Sequence, residues 1–394
     1  MKIAVIGGGI AGSFTSYFLL KKGYEVVRVD RGSQGIVRTS ANNSGILSSA
    51  AHHTPISSAG GVRVSERERR KNLGWFALAR GLDGKKYDSL VARLVPRSVE
   101  LYSEFLGGHE AEVNLIREGL AMYPTPDLAE GHRRQYGGTV VDQEELRDMG
   151  YAWEGEGVLA PDLSAHTGKL LAILESEVRS MGIKVVTGEA ELRVSRGQGG
   201  TEIEGVKVGG EPSVSADSYV IAGGSWSGSL CEPLGFDPHI LPARGLAEFC
   251  HTGGKRLVDY PASFPELMLT QHDDNLVRLT GIFDLMGFNA RFGSADRAWL
   301  FKTSRAYLAR PNALRLVEVG AGFRPTTPDQ LPVVGAIPCC INGFIASGGT
   351  RKGVTLAPLM GHLTAGVVSG TLRGKTARTD RDLAEILSPS RFTH

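Results

Sequence analysis

Residues Lys2–Asp30 read KIAVIGGGIAGSFTSYFLLKKGYEVVRVD, a strand–turn–helix–strand pattern. Ile3–Ile6 is a short apolar run rich in β-branched residues, as in a parallel strand buried on both faces. Gly7, Gly9 and Gly12 then give G-x-G-x-x-G: Gly7 permits the tight turn, Gly9 lets a pyrophosphate approach the backbone, and Gly12 lets the following helix pack close to the strand. Phe14, Tyr17 or Phe18, and Leu20 or Lys21 recur at helical spacing, and Gly23 ends the helix. Glu25–Val29 is the second strand. Asp30 closes it, where a carboxylate can accept both ribose hydroxyls of an adenosine, and Arg31 follows. Ile10 and Ala11 open the helix, whose N-terminus offers free N–H groups and partial positive charge to phosphates. This is a dinucleotide-binding unit; the motif alone does not separate NAD from FAD.

The 394 residues suggest two domains, or one with a large insertion. Hydrophobic content of 41% and charged content of 22% are ordinary for a globular chain. A net charge of +2 gives no electrostatic case for nucleic acid. Four cysteines without a C-x-x-C give no case for a disulfide framework or a metal centre. The first apolar run is the first strand rather than a secretory signal, and Gly353–Gly370 carries Pro358, His362 and several glycines, which suits a buried loop and helix rather than a span. The expected location is cytoplasmic, with peripheral membrane attachment left open.

Along the chain, Ser33–Gly61 is long, weakly charged and without clear periodicity, which suggests a loop wrapped over a cofactor, with Ser40, Asn42 and Asn43 as hydrogen-bonding groups. His52 and His53 are either cofactor or substrate contacts or partly exposed loop residues. Arg63–Asn72 is a charge run, expected to be solvated. Tyr87–Leu106 and Gln143–Met149 read as helices, and His166–Met181 as an amphipathic helix with Leu170, Leu171, Leu174 and Val178 on one stripe. Gly182–Val186 is a strand with Ala190 beyond its end, and Gly197–Gly200 suits a hairpin turn. Ala216–Ser227 (ADSYVIAGGSWS) is a strand running into Gly223 and Gly224. After Pro242–Gly245 (PARG), the expected strands are Leu276–Thr280, Leu300–Thr303 and Leu314–Glu318. Phe344–Ser347 is a last short strand, and a helix is expected from about Leu356 to Thr371.

Four motifs in order give the chain a resemblance to the D-amino-acid oxidase family of flavoproteins, which includes glycine oxidase, D-amino-acid dehydrogenase and dye-linked proline dehydrogenases. They are Gly7–Asp30, Ala216–Ser227, GFRPTTPD…PVVG within Gly322–Gly335, and GGTRKGVTLAP at Gly348–Pro358. The resemblance spans nearly the whole chain and is weak at Arg63–Pro161 and Leu246–Arg315. It implies FAD and an α/β fold: a Rossmann-type FAD-binding domain with a second α+β substrate domain on a mixed antiparallel sheet. The expected FAD-binding domain is discontinuous, 1–62, 151–245 and 319–394, with 63–150 and 246–318 forming the substrate domain. By the same resemblance Ala190 lies against the adenine, Gly223, Gly224 and Trp226 line the flavin side, and Gly349, Thr350, Arg351, Lys352, Gly353, Val354 and Thr355 pass along the isoalloxazine. Backbone N–H groups of that turn suit the negative charge that reduced flavin gathers around N1 and the C2 carbonyl.

The reaction the resemblance implies is oxidation of a C–N bond, with hydride passing to flavin N5 and electrons going on to a quinone, a dye or oxygen. Arg324, in GFRPTTPD, matches the family arginine that grips a substrate carboxylate, for which a planar fork is suited; the alternative is a structural arginine paired with Asp329. Arg351, in TRKG, is either a second carboxylate contact, a guard at the entrance, or solvent-facing. Where glycine oxidase and D-amino-acid oxidase place a tyrosine over the substrate, this sequence offers Leu267 or Met268, with Tyr260 upstream. No cysteine precedes Thr327-Pro328 where sarcosine oxidase carries covalent flavin, so non-covalent FAD is expected over a histidyl link through His52 or His53. The substrate class expected is a small D-amino acid, proline or an N-methyl amino acid. Alternatives are a 2-hydroxy-acid or polyol-phosphate dehydrogenase, or a flavin subunit that passes electrons to a partner; a homo-oligomer is left open.

Overall fold

The computed structural model describes residues 1–32, 39–47, 62–373 and 377–392. A six-stranded sheet is collected from the whole length of the chain, in the order Val333–Ala336, Gly343–Ser347, Ser218–Ile221, Lys2–Ile6, Glu25–Asp30, Lys184–Thr187. All neighbours are parallel except the first pair. The Lys2–Ile6 strand is central and its Ile3–Ile6 side chains are buried on both faces, which is why it reads as an unbroken apolar run. The helix Ile10–Lys21 covers one face, against the helices Thr167–Ser180 and Ala357–Val368.

A second sheet of eight strands runs Arg315–Thr326, Leu241–His251, Leu276–Asp284, Leu267–Asp273, Ala262–Ser263, Gly119–Tyr123, Glu156–Ala160, Thr139–Val141. Glu156–Ala160 pairs here although it lies in the stretch assigned above to the FAD-binding domain. Arg315–Thr326 is an edge strand whose far end reaches the first sheet's loops through a bridge between Thr326 and Gly349. The hairpin expected at Gly197–Gly200 is present, and with Glu211–Val214 it forms a small third sheet.

Several expectations are met closely. The helices Gly84–Leu106 and Gln143–Asp148 form, each capped by an aspartate, Asp83 and Asp142. Leu300–Thr303 is not a strand: it lies in the helix Ser294–Ala306, where Leu300 and Ser304, one helical turn apart, face the second sheet. The charge run is the exposed helix Glu66–Lys71, but Arg63 just before it reaches the buried carboxylate of Asp284. His52 and His53 lie outside the described residues. Among the described residues no helix is long and apolar enough to cross a membrane.

Glu248, in the strand Leu241–His251, is fully buried, and among the described residues neither carboxylate oxygen has a hydrogen-bond partner. Burial pushes its pKa up to about 7, opposed by Arg297. The unfolded chain releases this proton near the ordinary value of 4.5, so between there and about 7 the folded state holds one proton more. Stability should therefore fall as pH rises through that window and level off above it. Glu248→Gln should flatten the fall and stabilise the protein at pH 8 by about 1–3 kcal/mol. Melting temperatures of both proteins from pH 4.5 to 8 test this; parallel curves would mean Glu248 stays ionised.

Candidate active site

One cavity of about 430 Å³ runs from the end of the second strand to the edge strand of the second sheet. At its nucleotide end Gly7 takes a φ of +120°, and a side-chain carbon there would meet the Ala222 carbonyl oxygen at 2.2 Å. A carbon on Gly12 would meet the Gly7 carbonyl oxygen at 2.0 Å, so Gly12 serves helix packing and does not line the cavity. Asp30 accepts from the Gly8 and Gly32 N–H groups, which fixes its carboxylate at the cavity wall. The helix starting at Ile10 has no cap from its own Gly9; instead the Ile10 N–H donates to the Ser40 hydroxyl at 3.1 Å.

Ile10, Ala11, Arg31, Asn42, Asn43, Ala190, Gly223, Gly224 and Trp226 all line the same cavity. Asn43 is largely engaged within its loop, donating to the Ser40 carbonyl and accepting from the Gly45 N–H. The Arg31 guanidinium lies 3.7 Å from the Trp226 ring, and Trp226 stacks on Phe288 at 4.9 Å. The loop bearing Ser40 is pinned to the edge strand by Thr39, whose hydroxyl accepts from the Phe323 N–H and donates to the Phe323 carbonyl. Arg278, buried in the second sheet, ties the same loop down through the Asn43 carbonyl at 2.7 Å and the Thr167 hydroxyl.

At the opposite end the Gly348–Gly353 turn meets the strand that carries Arg324. Gly349, Thr350, Arg351, Gly353 and Val354 line the cavity. Thr350 is held at a φ of +46°, its N–H bonded to the Pro325 carbonyl at 2.9 Å. Lys352 and Thr355 do not line it. The Lys352 N–H turns back to the Gly349 carbonyl at 2.7 Å, and its side chain is buried near Asp162 and Asp88, with burial lowering its pKa to about 8. The Thr355 hydroxyl bonds to the Ile46 carbonyl, and the Ser98 hydroxyl bonds to the Thr355 carbonyl.

Arg324 projects onto Gly245, where any side-chain carbon would sit 2.1 Å from a guanidinium nitrogen. The guanidinium donates to the Ile282 carbonyl at 3.0 Å. Ile282 has a φ of +61°, a left-handed conformation that costs a β-branched residue on the order of 1–3 kcal/mol. It marks an irregularity in the ladder: Leu246 pairs with Gly281 but Arg244 pairs with Asp284. The extra residue places Phe283 beneath Arg324 and Arg351, at 5.6 and 4.8 Å from ring centroid to guanidinium. Asp284 is fully buried and bound by Arg63 and Arg244. Asp329 pairs with Arg391 at 2.7 Å, not with Arg324. Among the described residues, neither Arg324 nor Arg351 has a carboxylate partner. Burial pulls the Arg324 pKa down to about 10, helped by Arg351 and opposed by Asp284; crowding by surrounding protein also lowers that of Arg351, although the residue is exposed.

Gly245, Ile282 and Phe283 are functional candidates that sequence reasoning missed. Gly245 stood out only within PARG, and nothing local marks a left-handed isoleucine in a strand. Leu267 sits in the second sheet's core, and neither it nor Met268 lines the cavity. No cysteine lines it either: Cys231, Cys250 and Cys340 are buried elsewhere and Cys339 is exposed.

A glycine-lined groove at a helix N-terminus, a fixed carboxylate beyond it and a turn of backbone amides at the far end mark a dinucleotide-binding protein built on two large sheets and a small third one. The chain belongs to the FAD dependent oxidoreductase family (DAO), whose model matches residues 2–367. It is similar in fold to L-proline dehydrogenase from P. horikoshii, with 16% identity, a TM-score of 0.77, and coverage of 100% of this chain and 97% of that one. It is likewise similar to iminodiacetate oxidase from Chelativorans sp. BNC1, with 20% identity, a TM-score of 0.75, and coverage of 93% and 95%. Glycine oxidase from Geobacillus kaustophilus gives 20% identity, a TM-score of 0.72, and coverage of 93% and 94%. The cofactor is FAD, and the groove fits it: Gly7, Gly8 and Gly9 line it without side chains, and Asp30 is already oriented at the cavity wall.

Asp30→Ala should weaken FAD binding roughly tenfold or more, since a charged hydrogen bond contributes about 1.5–3 kcal/mol. Titration of the apoprotein with FAD, followed by flavin fluorescence, checks it. Unchanged affinity would make Asp30 a support for the Gly8 turn only.

Proposed function

We propose that this enzyme oxidises the C–N bond of a small amino acid, with FAD held non-covalently and electrons passed on to a quinone, a dye or oxygen. The observation that carries the reading is Arg324: a guanidinium facing the cavity beside the Gly348–Gly353 turn, with one hydrogen bond to a backbone carbonyl and no carboxylate partner among the described residues. Its remaining donors suit a carboxylate taken through both oxygens. Iminodiacetate, glycine and L-proline, which name the similar structures, are all amino acids of this kind.

Bound FAD supplies an acceptor for the hydride leaving the carbon next to nitrogen. The chain's own task is then positioning. Arg324 fixes the carboxylate, and with it the carbon and its hydrogen, at one place in the cavity. Gly245 lets the guanidinium lie flat on the sheet, and the Ile282 carbonyl fixes its angle. The amine must be neutral to give up hydride, and two cationic guanidiniums close by favour its deprotonated form. The product imine is hydrolysed by water to a carbonyl compound and an amine. A 2-hydroxy acid could use the same arginine. A polyol phosphate is less well served, because Lys352 does not line the cavity.

Anaerobic mixing of the holoenzyme with D- and L-amino acids, N-methyl amino acids and 2-hydroxy acids tests the reading through flavin bleaching. Bleaching by an amino acid supports it; bleaching by hydroxy acids alone overturns it. Reoxidation by air or by a dye then separates oxidase from dehydrogenase. Acid precipitation should release FAD into the supernatant, and flavin kept in the pellet would show a covalent bond.

A further inference from the structure

We propose that the substrate carries two carboxylates, one held by Arg324 and the second by Arg351. This rests on the amino-acid reading above and narrows it. Both guanidiniums face the cavity, and both lie within 6 Å of the centroid of the Phe283 ring. Like charges that close disfavour one another, and Arg351 contributes to the lowered pKa of Arg324. Such a pair calls for counter-charge.

The protein does not supply it among the described residues. Asp284 is the acid next in sequence to Phe283, and it is fully buried between Arg63 and Arg244. Asp329, close in sequence to Arg324, is bound by Arg391. Tyr87 is near Arg351, but burial raises its pKa far above neutrality, so it brings no charge. Asp88 and Asp162 act on Lys352 instead. A substrate with one carboxylate would leave the Arg351 guanidinium, on an exposed residue of the cavity lining, with no anionic partner. A dicarboxylic amino acid brings the site to balance and uses both planar forks. The buried Phe283 ring holds the two guanidiniums side by side by cation–π attraction.

The test compares matched pairs on the holoenzyme: glycine against iminodiacetate, and D- and L-alanine against D- and L-aspartate, by anaerobic flavin bleaching. Acetate and succinate, which carry no oxidisable amine, are compared in parallel through the shift they cause in the flavin spectrum and in melting temperature. The dicarboxylic member of at least one pair should reduce flavin about 100-fold more efficiently, and succinate should act at about 100-fold lower concentration than acetate. Arg351→Gln should shrink both ratios to below about tenfold, and Arg351→Lys should leave them intermediate. Equal efficiency within every pair, or an Arg351→Gln variant that weakens acetate and succinate by the same factor, would overturn the inference while leaving amino-acid oxidation standing. If no amino acid bleaches the flavin, the broader reading fails instead, and the succinate-to-acetate ratio still decides whether the cavity takes two anions.

Discussion

Arg324→Ala should cut kcat/KM for a carboxylate substrate by roughly two to four orders of magnitude, as removal of one partner of a buried charged pair costs about 3–5 kcal/mol. Arg324→Lys keeps the charge but loses the fork, and should fall between wild type and alanine. FAD content should hardly change, because the guanidinium sits at the far end of the cavity from Gly7 and Asp30. The informative comparison is an amino acid against its decarboxylated amine. Loss of turnover for the amino acid alone identifies Arg324 as the carboxylate anchor. Equal loss for both would make it a structural residue that holds the Ile282 carbonyl and the strained ladder around it. Normal kinetics on the amino acid would pass the role to Arg351.

Gly7→Ala should give a protein that purifies almost colourless. Two penalties coincide at this position. A φ of +120° is one that side chains rarely adopt, and the added carbon would lie 2.2 Å from the Ala222 carbonyl oxygen. Strain and overpacking each cost on the order of 1–3 kcal/mol, so FAD affinity should drop by roughly two to four decades if the turn moves to relieve them. Gly23→Ala is the control. Its φ of +79° carries the strain, but nothing lies within 4 Å of the new carbon and the site is remote from the cavity. It should lower stability slightly and keep full FAD occupancy. Flavin-to-protein ratio and melting temperature measure both outcomes. A yellow Gly7→Ala protein with normal FAD affinity would show that the turn can shift without disturbing the groove.

The nucleotide half of this protein was legible in the sequence because its signals are local. A buried parallel strand needs a continuous apolar run, a tight turn against a neighbouring carbonyl needs glycine, and a strand-end carboxylate is held in place by nearby backbone amides; Ile3–Ile6, Gly7 and Asp30 show all three within one stretch of chain. Arg324 was picked out differently, through the resemblance that GFRPTTPD carries and not through any local physical signal. Local signals mislead where they are short: Leu300–Thr303 carries apolar residues that suit either a strand or a helix, and the helix prevails because Leu300 and Ser304 then face the sheet together. The chemistry at the substrate end depends on which distant charges meet, and register decides that. A single left-handed residue at Ile282 shifts the ladder, brings Phe283 under two arginines and gives Asp284 to Arg63 and Arg244. The turn at Gly349 likewise sends Arg351 into the cavity and Lys352 behind its wall, though the two are adjacent in sequence. The glycine turn and the strands around it could be recognised within one stretch of chain; which positive charges remain for a substrate could not, because neutralisation is a property of contacts between segments and not of any segment alone.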